Sequence, residues 1–237
     1  MPLSGASPRR SLSSVDKTTF EGILTSKSAG GNTAKQHAGN AALKHIVFIH
    51  IPKTGGDSFM KDSPRHMAKG QTLKGNHEKS FLYSASNEMN DDPGIQAMVM
   101  LRNPLAHVLS QFLECKYDDW GQIVTNHTDF PGYGQFYSVL AGFDSWIEHF
   151  VTNAEKYGES HAYNCYDPWN MQTRYMAVKD DLNAHYPTTQ EGRFPSLTKA
   201  QASLRNPRLI VGILEHYAAS LCLLEYHALQ GQLSEAC

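Results

Sequence analysis

In the stretch HIVFIHIPKTGGDSF, His45 to Phe59, one lysine and two glycines follow directly on a short apolar run. Ile46, Val47, Phe48 and Ile49 read as a buried strand, and Pro52 to Ser58 as the turn that leads into a helix. The chemistry open to such a turn is to hold an anion. Backbone N–H groups of the turn and of the first helical turn lack partners and converge on one spot. Gly55 and Gly56 let a ligand approach that backbone, and Lys53 adds a positive charge. The triphosphate loop GxxxxGK[ST] is absent, because Lys53 precedes the glycines, and this disfavours ordinary P-loop NTPases. Taken alone, the loop also reads as a tight turn with a solvated lysine.

Gln96–Leu101 repeats the arrangement: an apolar run, then Arg102, then Asn103 as a cap candidate and Pro104 at the first helical position. Helical spacing puts Leu105, Val108, Leu109, Phe112 and Leu113 on the inward face, with Asn103, His107, Ser110 and Glu114 on the other. Leu209–Leu214 is a third such run, before a helix over residues 215–230 striped by Tyr217, Leu221, Leu224 and Ala228. Further helices are expected over 144–157, with Ile147, Phe150, Val151 and Ala154 inward and Gly158 as the stop, and over 198–204. Residues 61–80 and 116–143 read as loops. Short apolar runs alternating with helices predict an α/β fold with a mainly parallel sheet flanked by helices.

The chain has 237 residues, 41% of them hydrophobic, enough for one sizeable core. Residues 1–44 are rich in Ser, Thr, Gly, Ala and Lys and read as a linker-like tail, and 45–237 as the domain. The tail carries six Lys or Arg against Asp16 and Glu21, which count against a transit peptide; the domain is left at about −6. With a net charge of −2, there is no electrostatic case for nucleic acid. No apolar run is long enough to span a bilayer. Cys115, Cys165, Cys222 and Cys237 allow two disulfides, without metal-ligand spacing. Asn126-His127-Thr128 fits a glycosylation sequon.

FIHIPKTGG, Phe48 to Gly56, resembles the 5′-phosphosulfate loop of the membrane-type carbohydrate sulfotransferases, especially the heparan sulfate 2-O- and 6-O-sulfotransferase group. MLRNPLAHVLSQF, Met100 to Phe112, resembles that family's 3′-phosphate motif, LRxPxxRxxSxF/Y. NMQTRYM (170–176) and VGILEHYAASLCLLEY (211–226) are similar to further family stretches, in family order. The resemblance implies a three-layer fold of P-loop-NTPase type and 3′-phosphoadenosine-5′-phosphosulfate as donor. It assigns Lys53, Thr54, Gly55, Gly56 and Ser58 to the 5′ end, and Arg102 and Ser110 to the 3′-phosphate. Two departures stand out. Asp57 stands where the family usually has Thr, and it reads as a helix cap turned away from the anion. His107 stands where the family often has Arg, so one cationic contact becomes a group that titrates.

The expected reaction moves a sulfuryl group to a hydroxyl or amino group of a carbohydrate or small-molecule acceptor. Lys53 would stabilise the leaving oxygen with no metal required. By the resemblance His77 would take the acceptor proton, with Glu78 and then Glu114 as the other candidates. Arg174 and Gln172 would border the acceptor or adenine pocket or be structural, and Trp120, Trp146 and Trp169 would stack on a ring or lie in the core. The alternatives are a kinase-like nucleotide enzyme and a catalytically inactive nucleotide-binding or interaction protein. Six Lys or Arg gather between 174 and 208, a mild surplus, so a neutral glycan or small metabolite suits as well as a polyanionic glycan. The family's compartment is the Golgi lumen, which requires an anchor upstream of this chain; otherwise the expectation is the cytoplasm. The oligomeric state is not legible.

Overall fold

The computed structural model describes residues 43–75, 78–125, 130–131, 139–179 and 185–237, all within the compact unit Asn40–Cys237. The expected tail lies outside them except for its last two residues. Leu43 is buried and the Lys44 N–H donates to the Gly94 carbonyl at 2.8 Å, so both already belong to the domain. The sequon at Asn126 also falls outside.

The three apolar runs form strands β1 (His45–Ile49), β3 (Ile95–Leu101) and β4 (Leu209–Ile213). A fourth strand, β2 (Thr72–Gly75), completes an all-parallel sheet of order β2-β1-β3-β4. Side chains alternate across a strand, so each run feeds two layers. Ile46, Phe48, Met98, Met100 and Ile210 pack on one face with Phe59 of α1 (Gly56–Asp62) and Leu221, Leu224 and Ala228 of α9 (Tyr217–Ala228). Val47, Ile49, Ala97, Val99 and Leu209 pack on the other. There they meet Phe81 of α2 (Phe81–Ser84), Phe112 of α3 (Pro104–Tyr117), and Trp146 and Phe150 of a later helix, Val139–Thr152. Helices thus cover both faces of a parallel sheet, the layering of P-loop-like, Rossmann-type folds. Because β1 and β3 are neighbours, the turns at their carboxyl ends emerge side by side, where such sheets bind ligands.

The remaining helices are α4 (Asp119–Val124), α5 (the helix Val139–Thr152), α6 (Met171–Ala177), α7 (Gln190–Arg193) and α8 (Leu197–Leu204). Strand β2 and helix α4 lie in segments read as loops from sequence. In α5 the anchors are Trp146 and Phe150, while Val151 is exposed and the helix ends before Gly158. The four cysteines pair as Cys115–Cys165 and Cys222–Cys237.

Helix α3 is turned relative to the expected face. His107, Gln111, Phe112 and Cys115 are buried, whereas Leu105 is 82% exposed and Leu109 38%. The inward stripe is partly polar, so hydrophobic periodicity could not find it. Most of its polar groups are engaged: His107 Nε2–H donates to the Pro52 carbonyl at 2.8 Å, the Gln111 amide nitrogen approaches Met171 sulfur at 3.2 Å, and Cys115 is disulfide-bonded. The Gln111 amide oxygen has no protein partner among the described residues. Phe112 touches Phe130, Phe143 and Trp146. Phe112→Ala is therefore expected to cost about 3–5 kcal/mol in urea unfolding, and Leu105→Ala no more than about 0.5 kcal/mol. The inward face expected from periodicity would give comparable losses for the two.

Candidate functional site

The turn after β1 takes its shape from two left-handed backbone positions. Lys53 has φ 64° and Gly55 φ 84°. The first is a conformation that a non-glycine residue adopts rarely, and chiefly where its surroundings hold it. Gly55 caps α1 with no side chain involved, so Asp57 is not the cap. A β-carbon at Gly55 would come within 2.5 Å of Leu214, and one at Gly56 within 2.0 Å of the His50 ring. Thr54 is fully buried and its hydroxyl donates to the Ile51 carbonyl at 2.8 Å. Its side chain fixes the turn rather than lining the cavity.

The second strand–helix junction ties this turn down. Arg102 Nη1 donates to the Lys53 carbonyl at 3.0 Å, next to the bond from His107 to Pro52. Two successive carbonyls of the turn are thereby held by β3 and α3. Arg102 is itself clamped: its N–H donates to Gln172 Oε1 and its carbonyl accepts from Gln172 Nε2, both at 2.9 Å. The Asn103 N–H donates to Glu215 at 2.8 Å, and this bond holds that carboxyl below its ordinary range. The Asn103 side chain caps α3 through the N–H groups of Leu105 and Ala106, as the sequence predicts.

Between the two junctions lies a cavity of about 520 Å³. Lys53, Gly55, Gly56, Ser58, Arg102 and Ser110 all line it. His77 lies outside the described residues. Glu78 and Glu114, the other candidate bases, also line the cavity, and Glu114 is ion-paired with Lys53. His50, Tyr166 and Leu214 complete the wall; sequence reasoning did not single them out. Tyr166 adjoins Cys165, which is bonded to α3, so a disulfide pairing would have pointed to it. Burial pushes the Tyr166 hydroxyl up, and Glu78 and Glu114 nearby push it further.

Several expectations need correction. Asp57 lines the cavity rather than turning away as a cap. The lining cations Lys53 and Arg102 thus face three carboxylates, Asp57, Glu78 and Glu114. His107 is no cationic contact either: burial depresses its pKa to about 4, and it serves as a neutral donor to the turn. Gln172 clamps Arg102 and also lines a cavity that shares Arg102. Arg174 is buried near the Asp167 carboxyl, which burial pushes up against the opposing pull of Arg193 and Arg174. Arg208 spends its guanidinium on the carbonyls of Met89, Asn90, Asp92 and Ile95, and Lys199 pairs with Glu191. Much of the basic cluster between 174 and 208 is therefore structural. Trp146 is core, Trp120 packs on Tyr166 and His185, and Trp169 lies under Arg193.

Comparison with protein-family models, with curated proteins and with solved structures finds no match for this chain. No helix among the described residues is long and apolar enough to cross a membrane.

His107 generates a pH prediction. Its folded pKa lies below the unfolded value near 6.5, so the unfolded chain binds the proton first. The stabilisation is complete above about pH 6.5 and is lost as pH falls toward 4, on the order of 3 kcal/mol in all. Urea unfolding from pH 7 to 4.5 is expected to show a shallower fall for His107→Gln than for wild type. Parallel curves would show that His107 is not the neutral donor described.

Proposed function

We propose that the chain is a sulfotransferase using 3′-phosphoadenosine-5′-phosphosulfate, of the carbohydrate sulfotransferase type. The observation that carries this reading is the convergence of the Lys53 turn and the Arg102–Ser110 pair on one cavity. A donor with phosphates at both ends of its nucleoside needs two anion sites at a fixed separation, and the two motifs supply one each. The 5′-phosphosulfate would take the N–H groups of Gly55 to Ser58 and the Lys53 ammonium, and the 3′-phosphate would take Arg102 and Ser110. An adjoining cavity of about 480 Å³, lined by Leu101, Pro104, Met176 and Leu204 and sharing Arg102, offers apolar room for the nucleoside. The two disulfides suit an oxidising compartment such as the Golgi lumen.

In this reading the acceptor oxygen or nitrogen attacks sulfur in line, and the bond from sulfur to the 5′-phosphate oxygen breaks. Negative charge builds on that oxygen, and Lys53 stabilises it more strongly in the transition state than in the ground state. The acceptor is a hydroxyl or amino group of a carbohydrate or small molecule. A second reading, a nucleotide-binding protein without transferase activity, is favoured by the Lys53–Glu114 pair and by Asp57 in the wall.

Adenosine 3′,5′-bisphosphate at a hundredfold over its Kd is expected to stabilise the fold by about 2.7 kcal/mol, a thermal shift of several degrees, with no comparable effect of ATP. A shift with ATP alone would contradict the proposal. Transfer of labelled sulfur to any member of a hydroxyl and amine panel separates the two readings. Arg102→Ala is expected to weaken bisphosphate binding by about 1.5–3 kcal/mol, and Arg102→Lys to restore little, since a point charge cannot hold both the Lys53 carbonyl and a phosphate. Unchanged affinity in Arg102→Ala would remove Arg102 from the site.

A further inference from the structure

Resting on the transferase reading, we propose that His50 is the base that takes the acceptor proton, and that Glu78 is the residue that orients it. His50 follows β1 directly, precedes Lys53 by three residues and lines the same cavity. Its ring is stacked on Phe48, with centroids 5.9 Å apart and planes at 27°. The Cδ2–Nε2 edge lies against Gly56, where a β-carbon would stand 2.0 and 2.2 Å from those atoms, so the glycine makes room for the imidazole as well as for an anion. The other nitrogen faces Glu78, with Nδ1 3.9 Å from Oε1.

Glu78 is placed for that task. Its backbone is left-handed, φ 63°, a second rare conformation beside the cavity. Its other oxygen, Oε2, lies 3.3 Å from His185 Nε2, and the His185 ring is wedged edge-on against Trp120 and Tyr166. A carboxylate on Nδ1–H fixes the tautomer whose Nε2 lone pair accepts a proton, and it stabilises the imidazolium that results. At 3.9 Å the contact is longer than a hydrogen bond, as is common before a substrate closes a site.

The other candidates in the wall are less suited. Both oxygens of Glu78 face histidines, and Glu114 is bound to Lys53. Asp57 sits in the first turn of α1 and, among the described residues, has no histidine or lysine ion pair that would orient it. In the proposed step, His50 Nε2 takes the acceptor proton as the new bond to sulfur forms. The electron pair of the breaking bond leaves on the 5′-phosphate of adenosine 3′,5′-bisphosphate, and the imidazolium then returns its proton to solvent.

The test uses the full chain, with sulfur-labelled donor, the acceptor panel and adenosine 3′,5′-bisphosphate as probes. His50→Ala is expected to lower turnover by about 10²–10⁴-fold, to keep bisphosphate affinity within about threefold, and to regain part of its rate with imidazole in solution. His50→Gln, which preserves shape, is expected to show the same loss without rescue, and it serves if the alanine variant does not fold. Long-range nitrogen–proton correlation spectra of wild type are expected to show His50 protonated on Nδ1, with that preference lost in Glu78→Gln. Turnover of His50→Gln within about threefold of wild type, or an Nε2–H tautomer in wild type, would overturn the base assignment and leave the transferase reading intact. Failure of wild type to bind the bisphosphate would overturn the transferase reading and this role with it.

Discussion

The site depends on two hydrogen bonds that hold successive carbonyls of one turn. His107 takes the Pro52 carbonyl and Arg102 takes the Lys53 carbonyl. Both donors come from the neighbouring strand–helix unit, so the shape of the first turn depends on the second. The arrangement follows from sheet order, because β1 and β3 are adjacent and parallel and their turns must meet. Gln172 and Glu215, from α6 and from the turn after β4, then clamp the Arg102–Asn103 junction. Four separate stretches of chain converge on a few backbone groups, which is how a mostly short-helix fold presents a rigid site.

The cavity wall carries charges of both signs. Lys53 and Arg102 stand against Asp57, Glu78 and Glu114, and an anion entering must displace Glu114 from Lys53. On the proposed reading, a ligand with one phosphate would gain from only one of the two cationic positions and still meet that competition, whereas a bisphosphate would engage both. His107 contributes no charge, because burial keeps it neutral at ordinary pH. Its role is to make the turn rigid without adding a third cation.

The parallel sheet was legible in the three apolar runs, since buried strands must be apolar on both faces. The Asn103 cap with Pro104 and the α9 stripe were legible too, as were Lys53, Gly55, Gly56, Ser58, Arg102 and Ser110 as residues that meet. Strand β2 was not: Thr72–Gly75 is an edge segment with alternating exposure and little apolar signal. The α3 face was misread because its buried positions include a histidine and a glutamine, acceptable only where a carbonyl or sulfur from elsewhere in the chain meets them. His50 was passed over because it sits in the strand-to-turn step, where it reads as a boundary residue; only the fold brings Glu78 to it. Asp57 was read as a cap because local pattern favours Asp at a helix start, whereas the left-handed Gly55 already ends the turn.

The central claim is that one cavity holds both ends of a nucleoside bisphosphate. A crystal structure of the chain with adenosine 3′,5′-bisphosphate tests it most directly. The 5′-phosphate is expected on the N–H groups of Gly55 to Ser58 with Lys53 turned from Glu114 toward it, and the 3′-phosphate within hydrogen-bond distance of Arg102 and Ser110. A nucleotide bound elsewhere, or bound with its 3′-phosphate in solvent and Arg102 untouched, would contradict it.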